Sequence, residues 1–298
     1  MSSVFDDFLY PPEVLESFGA QRFVAAMLRV EAALAQAQAD AGVIPADAAR
    51  SIVGTCKAEL FDAPRIVRDS ASSGSLADPL VKSLQDTVGL FNPAAVPYVH
   101  FRITRQDLVD TTMALMTRQV VAQTRHYVQS CITPLQAPLR LAHAAALQRA
   151  LQRLELSTGQ ALAVQLGGMR AQLPEHGPAV QDRVAALLGL AVPPDAWDIQ
   201  RDTWVALGCD IALLTGSLGT LASALVREAG AADPPASCLM ALAMARRAPQ
   251  RLAGLLGSMP HAHTRGLGVW QADQSDWTQL LMSAHASAWG LAQTLLKK

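Results

Sequence analysis

Apolar positions along the chain recur every three or four residues, which is the period of a helix buried on one side. Near the N-terminus one such stripe contains Phe23, Met27, Val30 and Leu34. Runs that alternate apolar with polar residues and are rich in Val, Ile, Thr and Tyr, the pattern of strands, are nearly missing, and Ala and Leu dominate. The sequence therefore predicts an all-α protein.

Five long helices are predicted in the second part of the chain. They cover residues 104–130, a stretch after Pro138 that reaches about residue 167, and residues 203–228, 237–256 and 277–296. The third and fifth carry regular apolar seams of the kind that pack helix against helix. The residues of these seams are Ile211, Leu214, Leu218, Leu221 and Leu225, then Trp277, Leu281, Ala284, Ala288, Leu291 and Leu295.

The first third of the chain predicts a small helical domain. Its first helix should end near Gly42, and Pro45 suits the first turn of the next. Residues 62–99 are rich in Pro, Ser and Gly and predict irregular connections around one short helix at about 80–88. We expect an N-terminal helical domain at 1–99 and an up-and-down bundle of long helices at 100–298.

Several predicted helices are apolar on all sides, which one isolated bundle cannot bury. Residues 277–296 contain no charged side chain and have the length of a membrane span. A membrane position would leave Gln279, His285 and Gln293 in hydrocarbon, which is costly, so no membrane is predicted. We expect instead a homo-oligomer whose long helices pack against symmetry mates.

Composition narrows the functional classes. The 298 residues are 51% hydrophobic and 16% charged, with 24 basic and 25 acidic side chains and a net charge of −1. This composition excludes a disordered chain and argues against a nucleic-acid partner. Four separated cysteines without a CxxC pair predict neither disulfides nor zinc. The N-terminus lacks the basic residues of a signal peptide, which predicts a cytoplasmic protein.

One polar segment, residues 100–107, falls where the first long helix begins. A helix N-terminus offers free N–H groups and a positive dipole end, and Arg102 and Arg105 add charge, so a carboxylate site is plausible. The alternative is that Thr104 only caps the helix and the arginines are solvated. Polar clusters at 198–202 and 263–265 have the same two interpretations. His261 and His263, two residues apart, are a weak metal signal, and no metal is predicted.

Several motifs in a fixed order resemble the fumarase/aspartase superfamily, and most of all its branch that closes a carboxymuconate to a lactone. Residues 100–111 resemble HWGATSQDxxDT, 164–168 resemble a QxGG turn, and 197–202 resemble WHTQRD. Residues 27–35 and 42–45, the PLV segment at 79–81, and residues 245–249 and 263–273 add to the similarity. The resemblance covers nearly the whole chain.

The resemblance implies a homotetramer with active sites between subunits, which acts by addition–elimination on a small polycarboxylate during aromatic degradation, without a cofactor. It implies His100 and His263 as catalytic residues. The substrate-binding residues would be Arg102, Thr104, Arg105, Gln106, Asp107, Arg170, Gln200, Arg201 and Arg265. In the family a lysine helps to hold a substrate carboxylate. Arginine suits the same role because its planar guanidinium group matches the geometry of a carboxylate. The base stays open among His100, His263 and an acid such as Asp107.

The sequence also departs from the family pattern. The mobile GSSxMPxKxNP loop, which supplies the usual base and a lysine, should lie between the third and fourth long helices. Lysine occurs only at positions 57, 82, 297 and 298, and asparagine only at Asn92, so neither has moved elsewhere in the bundle. The GRTxxQ segment and the C-terminal small domain are expected to be absent. Three alternatives follow. The protein is a working short enzyme, or it is a catalytically silent relative that binds a carboxylate or a partner, or its full-length gene encodes the signature loop although this chain lacks it.

Overall fold

The computed structural model describes residues 4–135, 140–230, 234–260 and 268–296. Within these ranges the chain is helical, and an isolated bridge between Ala163 and Ala191 is the one β-type pairing. The all-α prediction is confirmed. The α-helices, in chain order, are α1 Val4–Leu9, α2 Pro12–Glu16, α3 Ala20–Asp40, α4 Ala46–Thr55, α5 Ala63–Ser73, α6 Ala77–Phe91, α7 Arg105–Ile132, α8 Leu141–Ala161, α9 Gly167–Gln172, α10 Gly177–Leu188, α11 Asp202–Ala229, α12 Ala236–Ser258 and α13 Val269–Leu296.

For residues 62–99 the short helix expected at about 80–88 is confirmed as part of α6, but the prediction of irregular structure around it is wrong. The segment forms α5, α6 and a 3-10 turn at Pro93–Tyr98. Its turn-forming residues serve as helix caps: the Asp62 side chain accepts a hydrogen bond from the Arg65 backbone N–H, and Gly74 ends α5 in the left-handed conformation, with a φ of 67°. Residues that favour turns and residues that end helices are the same types, so composition alone did not separate the two.

The long helices pack through the predicted seams. Every seam residue of α11 and α13 is buried, as predicted. Between these helices Trp204 stacks on Trp277 with ring centroids 4.0 Å apart, and Trp197 stacks on Trp204 at 5.2 Å. The helix α13 begins eight residues before its predicted start at 277, and α8 ends at Ala161, before the predicted end near 167.

The N-terminal helices share one hydrophobic core with the bundle. α3 packs on α7 and α10, and most of the buried apolar residues between Phe23 and Leu295 form one continuous cluster. The junction at residue 99 therefore lies on this shared core, and a domain boundary there stays a prediction. Among the described helices, α11 is long and apolar enough to cross a membrane; this is weak evidence, since 56% of its most apolar window is buried in the protein.

Candidate functional site

The turn before α7 is held in an unusual backbone conformation. His100 and Arg102 have φ values of 57° and 58°, in the left-handed region that side chains other than glycine rarely adopt. The Gln38 side-chain amide donates to the Phe101 carbonyl over 2.7 Å and fixes the turn from α3. Arg102 is exposed, with its guanidinium 5.5 Å from the centre of the Phe101 ring. The chain therefore turns sharply at residues 99–102, shortly before α7 begins.

Asp107 organises the start of α7. Its carboxylate accepts the backbone N–H of Thr104 (2.9 Å), while the Thr104 hydroxyl accepts the N–H of Asp107 (3.1 Å), a complete capping box. The same carboxylate accepts the N–H groups of Gly168 (3.1 Å) and Met169 (3.0 Å) and the Gln165 amide (3.0 Å). Burial raises the pKa of Asp107, and the hydrogen bonds with Thr104, Gly168 and Met169 oppose the shift.

Gly168 has to be a glycine because the 165–168 turn lies directly on this cap. A Cβ atom on Gly168 would lie 2.3 Å from Thr104 Cγ2 and 2.6 Å from Asp107 Oδ2. The Thr111 hydroxyl adds a second link, since it donates to the Gln165 carbonyl and accepts the Gln165 N–H. The two motifs that lie more than 50 residues apart in sequence are therefore one hydrogen-bonded unit.

His100 forms a buried pair with Glu31. The distance from His100 Nδ1 to Glu31 Oε1 is 2.6 Å, and the Glu31 side chain is 1% exposed. Burial disfavours the imidazolium, but the Glu31 carboxylate, helped by Asp107 and Asp78, outweighs burial and raises the pKa of His100. Because Glu31 takes Nδ1, the other ring nitrogen, Nε2, is the one available to a ligand.

Arg201 lies in a second buried network behind α7. It donates to the Asp110 carboxylate over 3.0 Å, and Asp110 also accepts from Trp270 Nε1 at 3.0 Å and from the Gln106 amide at 3.1 Å. The Arg201 guanidinium also lies 5.3 Å from the centre of the Trp197 ring. This buried network links the N-terminal ends of α7, α11 and α13 to one another.

A cavity of about 520 Å³ lies between the first half of α6 and the 100–105 turn. Its walls carry amides, a hydroxyl, an imidazole and charges of both signs. The lining residues are Asp78, Val81, Lys82, Gln85, His100, Ile103, Thr104, Arg105 and Gln172. At its edge Arg105 Nε lies 2.5 Å from Asp78 Oδ1. No group of three or more His, Cys, Asp or Glu side chains suited to a metal ion occurs among the described residues.

The structure brings only some of the predicted site residues to this cavity. His100, Thr104 and Arg105 line it, whereas Gln106, Asp107 and Arg201 lie behind it in the buried networks. Three others lie elsewhere, and two lie outside the described residues. Arg102 and Gln200 are exposed, Arg170 is half-buried near the end of α9, and His263 and Arg265 are in the undescribed 261–267 segment.

Sequence reasoning missed the residues that α3 and α6 contribute, namely Glu31, Asp78, Lys82 and Gln85. One signal was available: Asp78 and Lys82 lie on either side of the PLV segment, four residues apart, and so share one face of a helix. Glu31 gave no local signal, because its partner His100 is 69 residues further along the chain.

Solved structures share this architecture over almost the whole chain. The 3-carboxy-cis,cis-muconate lactonizing enzyme from Pseudomonas putida superposes with a TM-score of 0.91 at 26% identity, covering 98% of this chain and 75% of that structure. The fumarate lyase from Mesorhizobium sp. BNC1 gives a TM-score of 0.87 at 28% identity, covering 96% of this chain and 75% of that one. These neighbours define the class: an all-α protein of the fumarase/aspartase superfamily.

Sequence comparison narrows the class. The chain is 32% identical to the 3-carboxy-cis,cis-muconate cycloisomerase of Pseudomonas aeruginosa over 91% of its own length and 70% of that protein's. It is 29% identical to the 3-carboxy-cis,cis-muconate cycloisomerase of Acinetobacter baylyi, over 99% of its own length and 76% of that protein's. No protein-family model matches. The chain belongs to the 3-carboxy-cis,cis-muconate cycloisomerase family.

The relatives contain internal positions that this chain lacks. The alignment to the Acinetobacter protein has 346 positions against the 298 residues here, so at least 48 positions of that relative face gaps. Between α11 and α12, where the lysine-bearing loop was expected, only residues 230–235 connect the two helices.

Proposed function

We propose that this protein acts on a small polycarboxylate by addition–elimination, closing a carboxymuconate-type substrate to a lactone in the breakdown of aromatic compounds. The observation that carries the proposal is the cavity lined by His100, Thr104 and Arg105, which come from the segment that resembles the family's first motif. The family membership supports the same chemistry. The other predicted site residues, including Arg102, Arg170, Gln200, His263 and Arg265, stay proposals for substrate contacts.

In such a lactonisation a carboxylate oxygen of the substrate bonds one alkene carbon while a proton is added to the neighbouring carbon. The π bond breaks, and no atom is gained or lost apart from the proton, so neither an oxidant nor a reductant is required. His100 suits proton delivery, because Glu31 holds Nδ1 and its raised pKa keeps the ring protonated nearer neutral pH. Asp107 does not suit it, because it is fully buried and four N–H groups occupy its carboxylate.

The test is turnover of 3-carboxy-cis,cis-muconate, followed as the loss of its ultraviolet absorbance. We expect the wild type to lactonise it and His100→Asn to lose about 10²-fold or more in kcat, the usual contribution of a positioned acid. His126→Asn, at an exposed histidine on α7, is the matched control and should keep the wild-type rate. No absorbance change with folded wild-type protein would refute the proposal.

One observation favours a second candidate, a silent relative that binds a carboxylate without turning it over. The chain has no lysine from Ser83 to Leu296 and no asparagine after Asn92, so the loop residues that the family uses have no counterpart in the bundle. This candidate predicts binding of a tricarboxylate without lactonisation. Co-purification of mixed oligomers with an active family member would support its partner-binding form.

We also propose a cytoplasmic homotetramer. Large apolar side chains stay exposed on three helices of the bundle, with Leu156 on α8 at 70%, Leu213 on α11 at 53% and Leu239 on α12 at 47%. Packing against symmetry mates would cover them. Light scattering coupled to gel filtration should give four times the 31.6 kDa chain mass, and a monomer would contradict this part.

A further inference from the structure

We propose that Lys82 is the cation that holds a ligand carboxylate in the cavity beside His100, and that Arg105 keeps Lys82 available by binding Asp78. Lys82 would be a specificity-determining residue, and Arg105 a positioning residue that acts through Asp78. The identity of the ligand as a carboxylate rests on the proposed function. The roles of the two cations rest on the arrangement of the side chains.

Asp78 and Lys82 lie one helical turn apart on α6, and both line the cavity. An acid four residues before a lysine is the favourable order for an ion pair on a helix. Left to themselves, the two side chains would therefore neutralise each other. The lysine would then have little charge to offer a ligand.

Arg105 changes this balance. Its Nε lies 2.5 Å from Asp78 Oδ1, and Asp78 is the more protected partner, with a side chain 28% exposed against 53% for Arg105. Within the described part of the chain, Lys82 takes part in no ion pair. A guanidinium competes well for a carboxylate because it presents several donors in one plane.

Charge counting on the cavity wall then leaves a single free cation. Asp78 neutralises Arg105 and Glu31 neutralises the His100 imidazolium, so among the described lining residues only the Lys82 ammonium is not neutralised. The Thr104 hydroxyl and the amides of Gln85 and Gln172 add hydrogen-bonding groups around it. This wall fits a small carboxylate that also carries polar oxygen atoms.

Position 105 is also where the chain departs from its family motif, which has serine there. A serine cannot bind Asp78 as an ion pair, so Asp78 would be free to pair with Lys82. The replacement by arginine and the exposure of a free lysine charge are thus coupled through one carboxylate. This coupling predicts that removing Arg105 harms ligand binding only while Asp78 remains an acid.

The experiment measures the Kd of tricarballylate for the whole chain by calorimetry. Lys82→Met should weaken binding about fivefold, the upper range for a solvent-accessible ion pair, and Lys82→Ala gives a second version of the same loss. Arg105→Ser should weaken binding about threefold, because Asp78 then neutralises Lys82. Arg105→Ser combined with Asp78→Asn should restore the wild-type Kd to within about twofold.

Lys57→Met is the matched control, since Lys57 is exposed and outside the cavity, and it should leave the Kd unchanged. The proposal is overturned if wild type binds no tricarballylate, if both Lys82 variants bind like wild type, or if Asp78→Asn fails to rescue Arg105→Ser. The last result would make Arg105 itself the carboxylate ligand. Lysine-dependent binding without lactonisation would refute the proposed function alone, whereas lactonisation with a KM indifferent to Lys82 would refute this inference alone.

Discussion

Replacing Asp107 by asparagine tests whether the site is built around one buried carboxylate. Each carboxylate oxygen accepts two N–H groups: Oδ1 accepts those of Gln165 and Gly168, and Oδ2 accepts those of Thr104 and Met169. An asparagine has almost the same shape but only one acceptor oxygen. Whichever way the amide turns, two buried N–H donors face an NH₂ group and lose their acceptor.

The size of the effect follows from these contacts. A hydrogen bond to a charged group contributes about 1.5–3 kcal/mol, so two lost bonds should lower the free energy of unfolding by about 3–6 kcal/mol. This is a large share of the roughly 5–15 kcal/mol that stabilises a typical protein. Urea unfolding followed by circular dichroism, at one fixed protein concentration, measures the loss directly.

The matched control is Asp182→Asn, because Asp182 is exposed on α10, and it should change the unfolding free energy by less than about 0.5 kcal/mol. If Asp107→Asn costs less than about 1 kcal/mol, the four donors do not depend on the charge. The Asp107 carboxylate would then not be the organiser of the α7 start, and other contacts, such as the hydrogen bond from the Asp107 N–H to the Thr104 hydroxyl, would have to hold the turn.

Three further substitutions test neighbouring features. Gly168→Ala should lower the urea midpoint by the equivalent of about 1–3 kcal/mol, because the new Cβ would lie 2.3 Å from Thr104 Cγ2; an unchanged midpoint would contradict this close packing. Arg102→Gly should stabilise the fold by about 0.5–1 kcal/mol, since φ is 58°; destabilisation would show that the arginine's own contacts outweigh the strain. His285 is buried and burial lowers its pKa to about 4, so the unfolded state binds more protons between about pH 4 and 6.5. The stabilising contribution of the neutral His285 ring should be complete above pH 6.5, and the free energy of unfolding should fall by about 3 kcal/mol towards pH 4. Urea titrations at several pH values measure this fall, and His285→Gln should remove it.

Helix periodicity predicted the bundle because burial on one side repeats along each helix. The seams of α11 and α13 could be identified from spacing alone, and all their members are buried. The short helix at 80–88 could also be identified, but α5 could not, because Asp62 and Gly74 have the same composition signal whether they cap a helix or form a loop. Deciding between the two requires the apolar face of α5 and its packing partner, which is tertiary information.

The contacts of the site also fall into two groups, those that the sequence indicates and those that only the folded structure shows. Thr104 and Asp107 are three residues apart, so their capping box is visible in the sequence. The pairs Glu31–His100 and Asp78–Arg105 are visible only once α3, α6 and the start of α7 are packed together. These long-range pairs decide the charge of the cavity wall, and for that reason the sequence indicated a carboxylate site but assigned the free cation to arginine.

The departures from the family motif are not spread evenly over the site. Motif residues that are kept, such as Asp107, Gln165 and Gly168, form the buried hydrogen-bonded unit, whereas Arg102 and Arg105 replace family residues at exposed positions just before and at the start of α7. Of these two arginines, Arg105 lines the cavity and Arg102 does not. Loss of function without a new constraint would still keep the buried unit, because the fold needs it, but would not by itself favour arginine at either exposed position. Arg102 moreover occupies a left-handed backbone position that costs about 1–2 kcal/mol for any residue but glycine. A kept scaffold with two added arginines, one lining the cavity and the other placed nearby in sequence at an energetic cost, favours a cavity whose ligand has changed over one that has lost its ligand.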